Sequence, residues 1–288
     1  FSWAKEKVSY NGAPYGVGGN SEIVGLFYNA DLFEEYDLEP PTTWEAMLTA
    51  ADTAVAEGLT PFAQGGLEAW SAGHVCGAIT HAMAPIDVIG DAELPDGSGD
   101  WTNPLLRDSI AECQKFALDY GYFPTDMVAY STFDALNELT TGEALMRIDG
   151  SWDIATFDEG TAETGYTIRM VPVPMKPDPG VPPQAEGGLS STWMVNAETE
   201  YADAVGEFLN YFVFSDEVNA IWLQLGFLPS VDFNTSSVET TQLTKDALEG
   251  IAWTDTGNGL GYWIGWVSDP AYGEYYGAQL QSLLNGQI

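Results

Sequence analysis

Apolar runs of five or six residues alternate along this chain with stretches whose apolar positions recur every three to four residues. The unit at 16–44 shows the pattern most plainly, reading GVGGNSEIVGLFYNADLFEEYDLEPPTTW. A flexible glycine pair, Gly18 and Gly19, leads into polar Asn20, Ser21 and Glu22. The run 23–28 that follows is mostly β-favouring and bounded by turn formers, which predicts a buried strand. A short helix is expected over 31–36. Pro40-Pro41 then blocks helix and forces extended backbone. Thr42 and Glu45 have the spacing of a capping box, so a second helix is expected over 43–57, ending at Gly58. It would bury Trp44, Met47, Leu48, Ala51 and Val55 on one face.

The same alternation continues downstream. Asn11-Gly12 predicts a two-residue hairpin turn within 8–17. A short strand at 60–63 precedes a helix that starts near Trp70 and runs to about Met83. Asn103-Pro104 reads as a cap with proline at the first helical position. Further helices are expected to Tyr120, over 131–141, 201–214 and 216–225. Strands are expected over 144–148, 166–173 and 192–196. The tail should be helical, interrupted by aromatic residues at 262–276. Strands alternating with helices predict an α/β fold. Six prolines from 172 to 183 mark a connector, a candidate crossing between lobes near residue 180.

Composition narrows the function classes. With 8 basic against 43 acidic residues the formal charge is −35. Nucleic acid and anionic membranes are disfavoured as partners, because both need Lys and Arg. The acids are spread along the chain, as on a solvated surface suited to salty water. Cys76 and Cys113 are too few for a disulfide scaffold and show no metal spacing. Two buried free thiols are preferred over a single disulfide. No apolar run reaches transmembrane length, and no leader sequence is visible.

No nucleophile elbow, Walker loop, zinc-protease motif or dinucleotide fingerprint is present. Asp96 to Asp100 has a faint calcium-loop spacing but lacks the later bidentate Glu. His74 and His81 lie two turns apart on one predicted helix, too far for a metal pair, and read as packing or surface residues. The rings are more informative. Trp70, Trp152, Trp193, Trp263, Trp266 and Tyr272 sit at element junctions or in glycine-rich context. Sugars stack apolar C–H faces on such rings while their hydroxyls pair with carboxylates and amides, which suits a carbohydrate cleft. Trp44 and Trp222 lie on amphipathic helix faces and read as core.

A family resemblance rests on motifs in a fixed order. These are YNGAPYGV (10–17), LFYNADLFE (26–34), PPTTWE (40–45), LTPFAQGG (59–66), TTGEALMRIDGSW (140–152), GGLSSTWMVNA (187–197) and FLNYFVFSDEVNAIWLQLGFLPS (208–230). The chain resembles the sugar-binding, maltose-binding-protein-like branch of the extracellular solute-binding proteins of ABC importers. The resemblance implies a periplasmic-binding-protein-like, two-lobe α/β architecture with ligand between the lobes. It implies a first-lobe remnant and hinge at 1–18, a second lobe at 19–182, a first-lobe segment at 183–232 and a helical return at 233–288. The family carries further chain on both sides, so the first lobe is expected to be incomplete here and the signal or anchor region to lie elsewhere.

By the same resemblance, Glu22 reaches the sugar, Trp70 lines the site and Trp152 stacks on a ring. Trp263, Trp266 and Tyr272 are candidates to close it. Asp149 is expected to accept hydroxyl hydrogen bonds, and Asn20, Ser21 and Gly188 complete the expected set. The implied protein is a monomeric, periplasmic or membrane-tethered sugar carrier that delivers to an ABC permease, with no cofactor, no metal and no catalysis. A glycoside-active enzyme, or the same fold holding a polyamine or peptide, are the alternatives.

Overall fold

The structure, a computed structural model, describes residues 2–94, 98–177, 180–266 and 270–288, apart from the side chains of Ser2, Trp3 and Glu6. The start of the faint calcium spacing, at Asp96 and Gly97, and part of the proline-rich connector lie outside the described residues.

The fold is organised around one long strand, Asn20–Asn29. Its first half pairs antiparallel with Gly187–Leu189 and Leu228–Pro229. Its second half pairs antiparallel with Ala144–Gly150 on one side and Ile168–Pro172 on the other. Thr60–Phe62 extends the sheet, parallel to Ala144–Gly150. The partners change near Ile23, so polar residues 20–22 stand where one set of strands gives way to another.

Side-chain alternation along this strand feeds two cores. Val24, Leu26 and Tyr28 join Trp44, Met47, Phe62, Ile79 and Phe116 under the helices on one face. Ile23 and Phe27 join Ile154, Phe157, Leu223 and Leu243 on the other. Both faces are covered, which is why the run reads as continuous apolar sequence rather than as alternation. Glu22 shares the face of Val24. That face carries helix Ala69–Met83, whose inner residues Ala72, Val75, Cys76 and Ile79 pack into the same core.

Local chemistry explains most element ends. Asn11 and Gly12 take positive φ, 50° and 78°, in the tight turn between Ser9–Tyr10 and Ala13–Pro14. Asn103 caps helix Pro104–Leu118 by accepting from the Leu105 amide. Ser131 does the same for Thr132–Thr141 at Phe133. Helix Trp44–Glu57 ends on left-handed Gly58, φ 77°.

Several expectations are corrected. The cap of Trp44–Glu57 is Thr43, not Thr42: the Thr43 hydroxyl accepts from the Ala46 amide at 3.1 Å. Thr43→Ala is therefore expected to cost about 1 kcal/mol and Thr42→Ala close to nothing, read by chemical denaturation. Val55 is exposed rather than core, because the buried stripe runs Trp44, Met47, Ala50, Ala51 and Ala54. The strand expected over 192–196 shrinks to Thr192–Trp193. The aromatic stretch is split: Tyr272 and Tyr276 belong to helix Pro270–Leu284.

Cys76 and Cys113 form a disulfide with Cα atoms 5.6 Å apart, not two free thiols. Thirty-seven residues separate them in sequence, so only packing helix Ala69–Met83 on Pro104–Leu118 brings them together. The bond fixes the helix that carries Trp70 and His74. No described helix is long and apolar enough to cross a membrane. Helix Ala202–Phe214 buries only Val213 and bares Phe208, Tyr211 and Phe214.

Candidate functional site

Three elements converge beside Glu22. Helix Ala69–Met83 places Trp70 and His74 one turn apart on the same side. The turn after strand Ala144–Gly150 supplies Trp152. It is tied to the central strand because the Ile23 amide donates to the Ser151 hydroxyl, 3.2 Å. The segment before helix Pro270–Leu284 supplies Trp263 and Trp266. Together with Ser190 these residues line a hollow of about 320 Å³. That is the size range of small-ligand sites, and its walls are mostly aromatic with few polar groups.

The rings contact one another in tilted and edge-on pairs. Trp152 lies 6.3 Å from Trp70 and 5.9 Å from Trp263, centroid to centroid. The imidazole of His74 sits among all four indoles: 5.9 Å from Trp70, 5.1 Å from Trp152, 5.3 Å from Trp263 and 6.3 Å from Trp266. Behind it, His74 Nδ1 meets Glu186 Oε1 at 2.8 Å.

The aromatic segment is anchored from below. The Trp263 indole N–H donates to the Leu189 carbonyl at 3.0 Å. The Gly265 amide donates to Glu93 at 3.0 Å. His81 holds the segment too: its Nδ1 pairs with the Gly77 carbonyl and its Nε2 accepts from the Tyr262 amide. Burial pushes the His81 pKa down to about 4, so it stays neutral and structural.

Electrostatics in the hollow come from acids and one histidine. Burial raises the Glu22 pKa, partly offset by hydrogen bonds from Ser190 and Asn20 and by the nearby His74. Burial would lower the His74 pKa. The charge and hydrogen bond of Glu186, helped by Asp149 and Glu22, outweigh it and the pKa rises. No Lys or Arg is among the lining residues. Of the basic residues, Arg147 pairs with Asp149, Arg169 with Asp246, and Lys115 and Lys176 with Glu112, all elsewhere.

Glu22, Trp70, Trp152, Trp263 and Trp266 thus come together from positions spread over most of the chain. Asn20 stands one step back, its amide 3.3 Å from Glu22 Oε1. Gly188 also stands behind the wall: φ is 151°, which favours glycine, and a Cβ there would sit in van der Waals contact with the Trp263 ring. Three expected residues face elsewhere. Asp149 is not open to a ligand, because Arg147 Nε takes one oxygen at 2.5 Å and the Gly150 amide the other at 2.8 Å. Ser21 is buried and donates to the Pro229 carbonyl at 2.9 Å. Tyr272 packs tilted against Trp101 at 5.8 Å and stacks on Tyr276 at 6.0 Å, away from the hollow. Trp193 lies against Phe212 instead, and Trp222 is only half-buried, between Phe212 and Phe227.

Two lining residues escape a reading of sequence alone. His74 shows only as the partner of Trp70 at a spacing of four, and its Glu186 lies 112 residues away. Ser190 has no local signal beyond following the glycine pair.

Solved structures share this fold. A chain from a study of xylan utilisation by Caldanaerobius polysaccharolyticus superposes with a TM-score of 0.83 at 23% identity, covering 100% of this chain and 73% of that one. A chitin oligosaccharide binding protein gives 0.80 at 22% identity, covering 99% and 70%. The solute-binding protein RafE in complex with raffinose gives 0.72 at 20% identity, covering 98% and 74%. These neighbours have the two-lobe α/β fold of solute-binding proteins. Among curated sequences, the multiple sugar-binding protein of Streptococcus mutans is 23% identical over 205 residues, 68% of this chain and 46% of that protein. An uncharacterised ABC transporter extracellular-binding protein of Pyrococcus horikoshii is 23% identical over 173 residues, 59% of this chain and 38% of that protein. The chain therefore spans less than half the length of these two curated relatives. The model of the bacterial extracellular solute-binding proteins matches residues 1–272, and the chain belongs to that family.

Proposed function

We propose that this protein is the capture component of an ABC sugar importer. It would hold a mono- or oligosaccharide in the tryptophan-walled hollow and deliver it, unaltered, to a membrane permease. The observation that carries this reading is the convergence of four indoles and Glu22 on one hollow. Indole faces match the C–H faces of a pyranose, and Glu22 and Ser190 match its hydroxyl rim. Each hydroxyl bond to a charged group contributes roughly 1.5–3 kcal/mol. The one curated relative named for sugars, and the neighbours described with raffinose, xylan and chitin oligosaccharide, lend support.

Glu22 is the only carboxylate among the described lining residues. A glycosidase needs two carboxylates flanking the bond, and a polyamine site several around the ligand, so both alternatives fit less well.

The change of strand partners near Ile23 supports a division into lobes. Residues 19–182 would form the second lobe, with 233–288 returning to it. Residues 183–232 and 1–18 would belong to the first, and strand Asn20–Asn29 would cross between them. Ligand then favours closure only through contacts to both sides. The site of action would be the periplasm or the outer surface of the cell, with the protein acting as a monomer and without cofactor. A thermal-shift screen over sugars, polyamines and amino acids tests the reading: stabilisation by one class of neutral saccharide is expected. Stabilisation by polyamines alone, or turnover of chromogenic glycosides, would overturn it.

A further inference from the structure

We infer that His74 is the ligand donor of this hollow and that it is switchable: its Nε2 gives an N–H to an acceptor atom of the bound sugar, and becomes an acceptor itself when the imidazolium deprotonates. The inference rests on the sugar reading above and deepens it by assigning a specificity-determining residue.

The geometry dictates which proton is exchanged. Glu186 is buried, 1% exposed, and its Oε1 engages His74 Nδ1 at 2.8 Å. Burial raises the Glu186 pKa, against the pull of the His74 charge and hydrogen bond. Wherever Glu186 is ionised its carboxylate only accepts, so Nδ1 keeps its hydrogen in both charge states of the imidazole. The proton lost on titration is then the one on Nε2. That atom has no hydrogen-bond partner among the described residues, is not among the fully buried polar atoms, and belongs to a residue that lines the hollow. Helix Ala69–Met83 makes room for the pairing at Gly77, where any Cβ would run into the Glu186 carboxylate.

The surroundings favour the charged form. Four indoles lie within about the reach of a cation–π contact around the ring. Glu22 faces it from the central strand, Asp149 from strand Ala144–Gly150, and Glu186 from the strand connection behind. Glu93 and Tyr276 act on Glu186 from beyond. Asp153, whose pKa burial and Asp149 push up to about 8, accepts from the Trp152 indole and so also touches the wall. Without the Nε2 hydrogen, Glu22 and a neutral His74 would both be acceptors. The ligand's own acceptor atoms would then lose their charged donor.

Because the His74 pKa is raised above 6.5, the donor form is present below that raised value and is lost as pH rises through it. Glu22, whose pKa burial also raises, loses its ionised acceptor form as pH falls through that raised value, the opposite sign to the loss of the His74 donor. Sugar affinity is therefore expected to fall by about tenfold between pH 6 and pH 9, the loss of one charge-assisted bond.

The chain has two histidines, and His81 does not titrate near neutrality. Histidine NMR of the protein without ligand should show one ring titrating above 6.5, neutral as the Nδ1–H tautomer, with the midpoint lowered in Glu186→Gln. A midpoint at or below 6.5, or an Nε2–H neutral form, overturns the assignment even if the variant does not fold. Calorimetry with raffinose, xylotriose and N,N′-diacetylchitobiose at the two pH values then reads the consequence. His74→Gln, which keeps a fixed amide donor, should abolish the pH dependence. Persistence of that dependence would place it on Glu22 or Asp153 and overturn the inference. If none of the three sugars binds at either pH, the sugar reading fails, whereas the NMR result still decides the tautomer.

Discussion

Trp152→Ala is expected to weaken saccharide binding by at least about 30-fold, roughly 2 kcal/mol, which is the scale of a central aromatic anchor. The indole stands over Gly150, touches Trp70, His74 and Trp263, and forms the middle of the wall. Removing it takes away the stacking face and lets water into the contacts of its neighbours. The ring is half-buried and its turn is fixed independently by Ser151, so the fold should persist. Isothermal titration calorimetry with a bound oligosaccharide reads the loss, and far-UV circular dichroism should be unchanged. Trp152→Phe should recover part of the affinity, since it restores a smaller face. Unchanged affinity in the alanine variant would remove this ring from the site.

Arg147→Leu is expected to have the largest effect on stability, about 3–5 kcal/mol. Arg147 is 1% exposed yet charged. Its guanidinium binds Asp149, donates to the Ala63 carbonyl at 2.7 Å and to the Thr132 hydroxyl at 2.7 Å. Thr132 in turn pairs with Ser71 at the start of the helix bearing Trp70. The single substitution strands the Asp149 charge in the interior beside Asp153, and it unties the strand from that helix. Urea denaturation should show a lower midpoint with little change in slope. The double variant Arg147→Leu with Asp149→Leu should recover much of the loss, because no buried charge is left unpaired. A single variant as stable as the parent would contradict the view that this pair braces the wall.

The same residue pair shows why part of the site was unreadable in sequence. Asp149 leads the DGSW turn close to Trp152, a wall of the hollow, and its type suits a hydroxyl acceptor. Only the fold reveals that Arg147, two residues away on the same face of a strand, already claims it. The central strand was legible because both its faces are buried and its flanks carry turn formers. The N-cap was misplaced by one because Thr42 and Thr43 are both competent caps, and backbone geometry alone selects between them. Cys76 with Cys113, and His74 with Glu186, are pairings between distant segments, and no local period encodes them. Tyr272 belongs to an aromatic-rich stretch, but helix Pro270–Leu284 turns it toward Trp101. Position at element junctions marks Trp70, Trp152, Trp193, Trp263, Trp266 and Tyr272 alike; the fold gathers four of them around one hollow and turns Trp193 and Tyr272 elsewhere.

The charge of −35 has a separate meaning from the site. It lies mostly on exposed acids, and the hollow itself carries one lining carboxylate against one histidine. Solubility in salty surroundings is the natural physical consequence of the surface excess.

A crystal structure of the protein with the oligosaccharide that stabilises it most would probe the site directly. An intact sugar is expected, with one pyranose ring stacked on Trp152 and hydroxyls within hydrogen-bond reach of Glu22 and His74. A sugar seated outside the tryptophan wall, or found there only as cleaved product, would contradict the assignment of this hollow as a carrier's binding site.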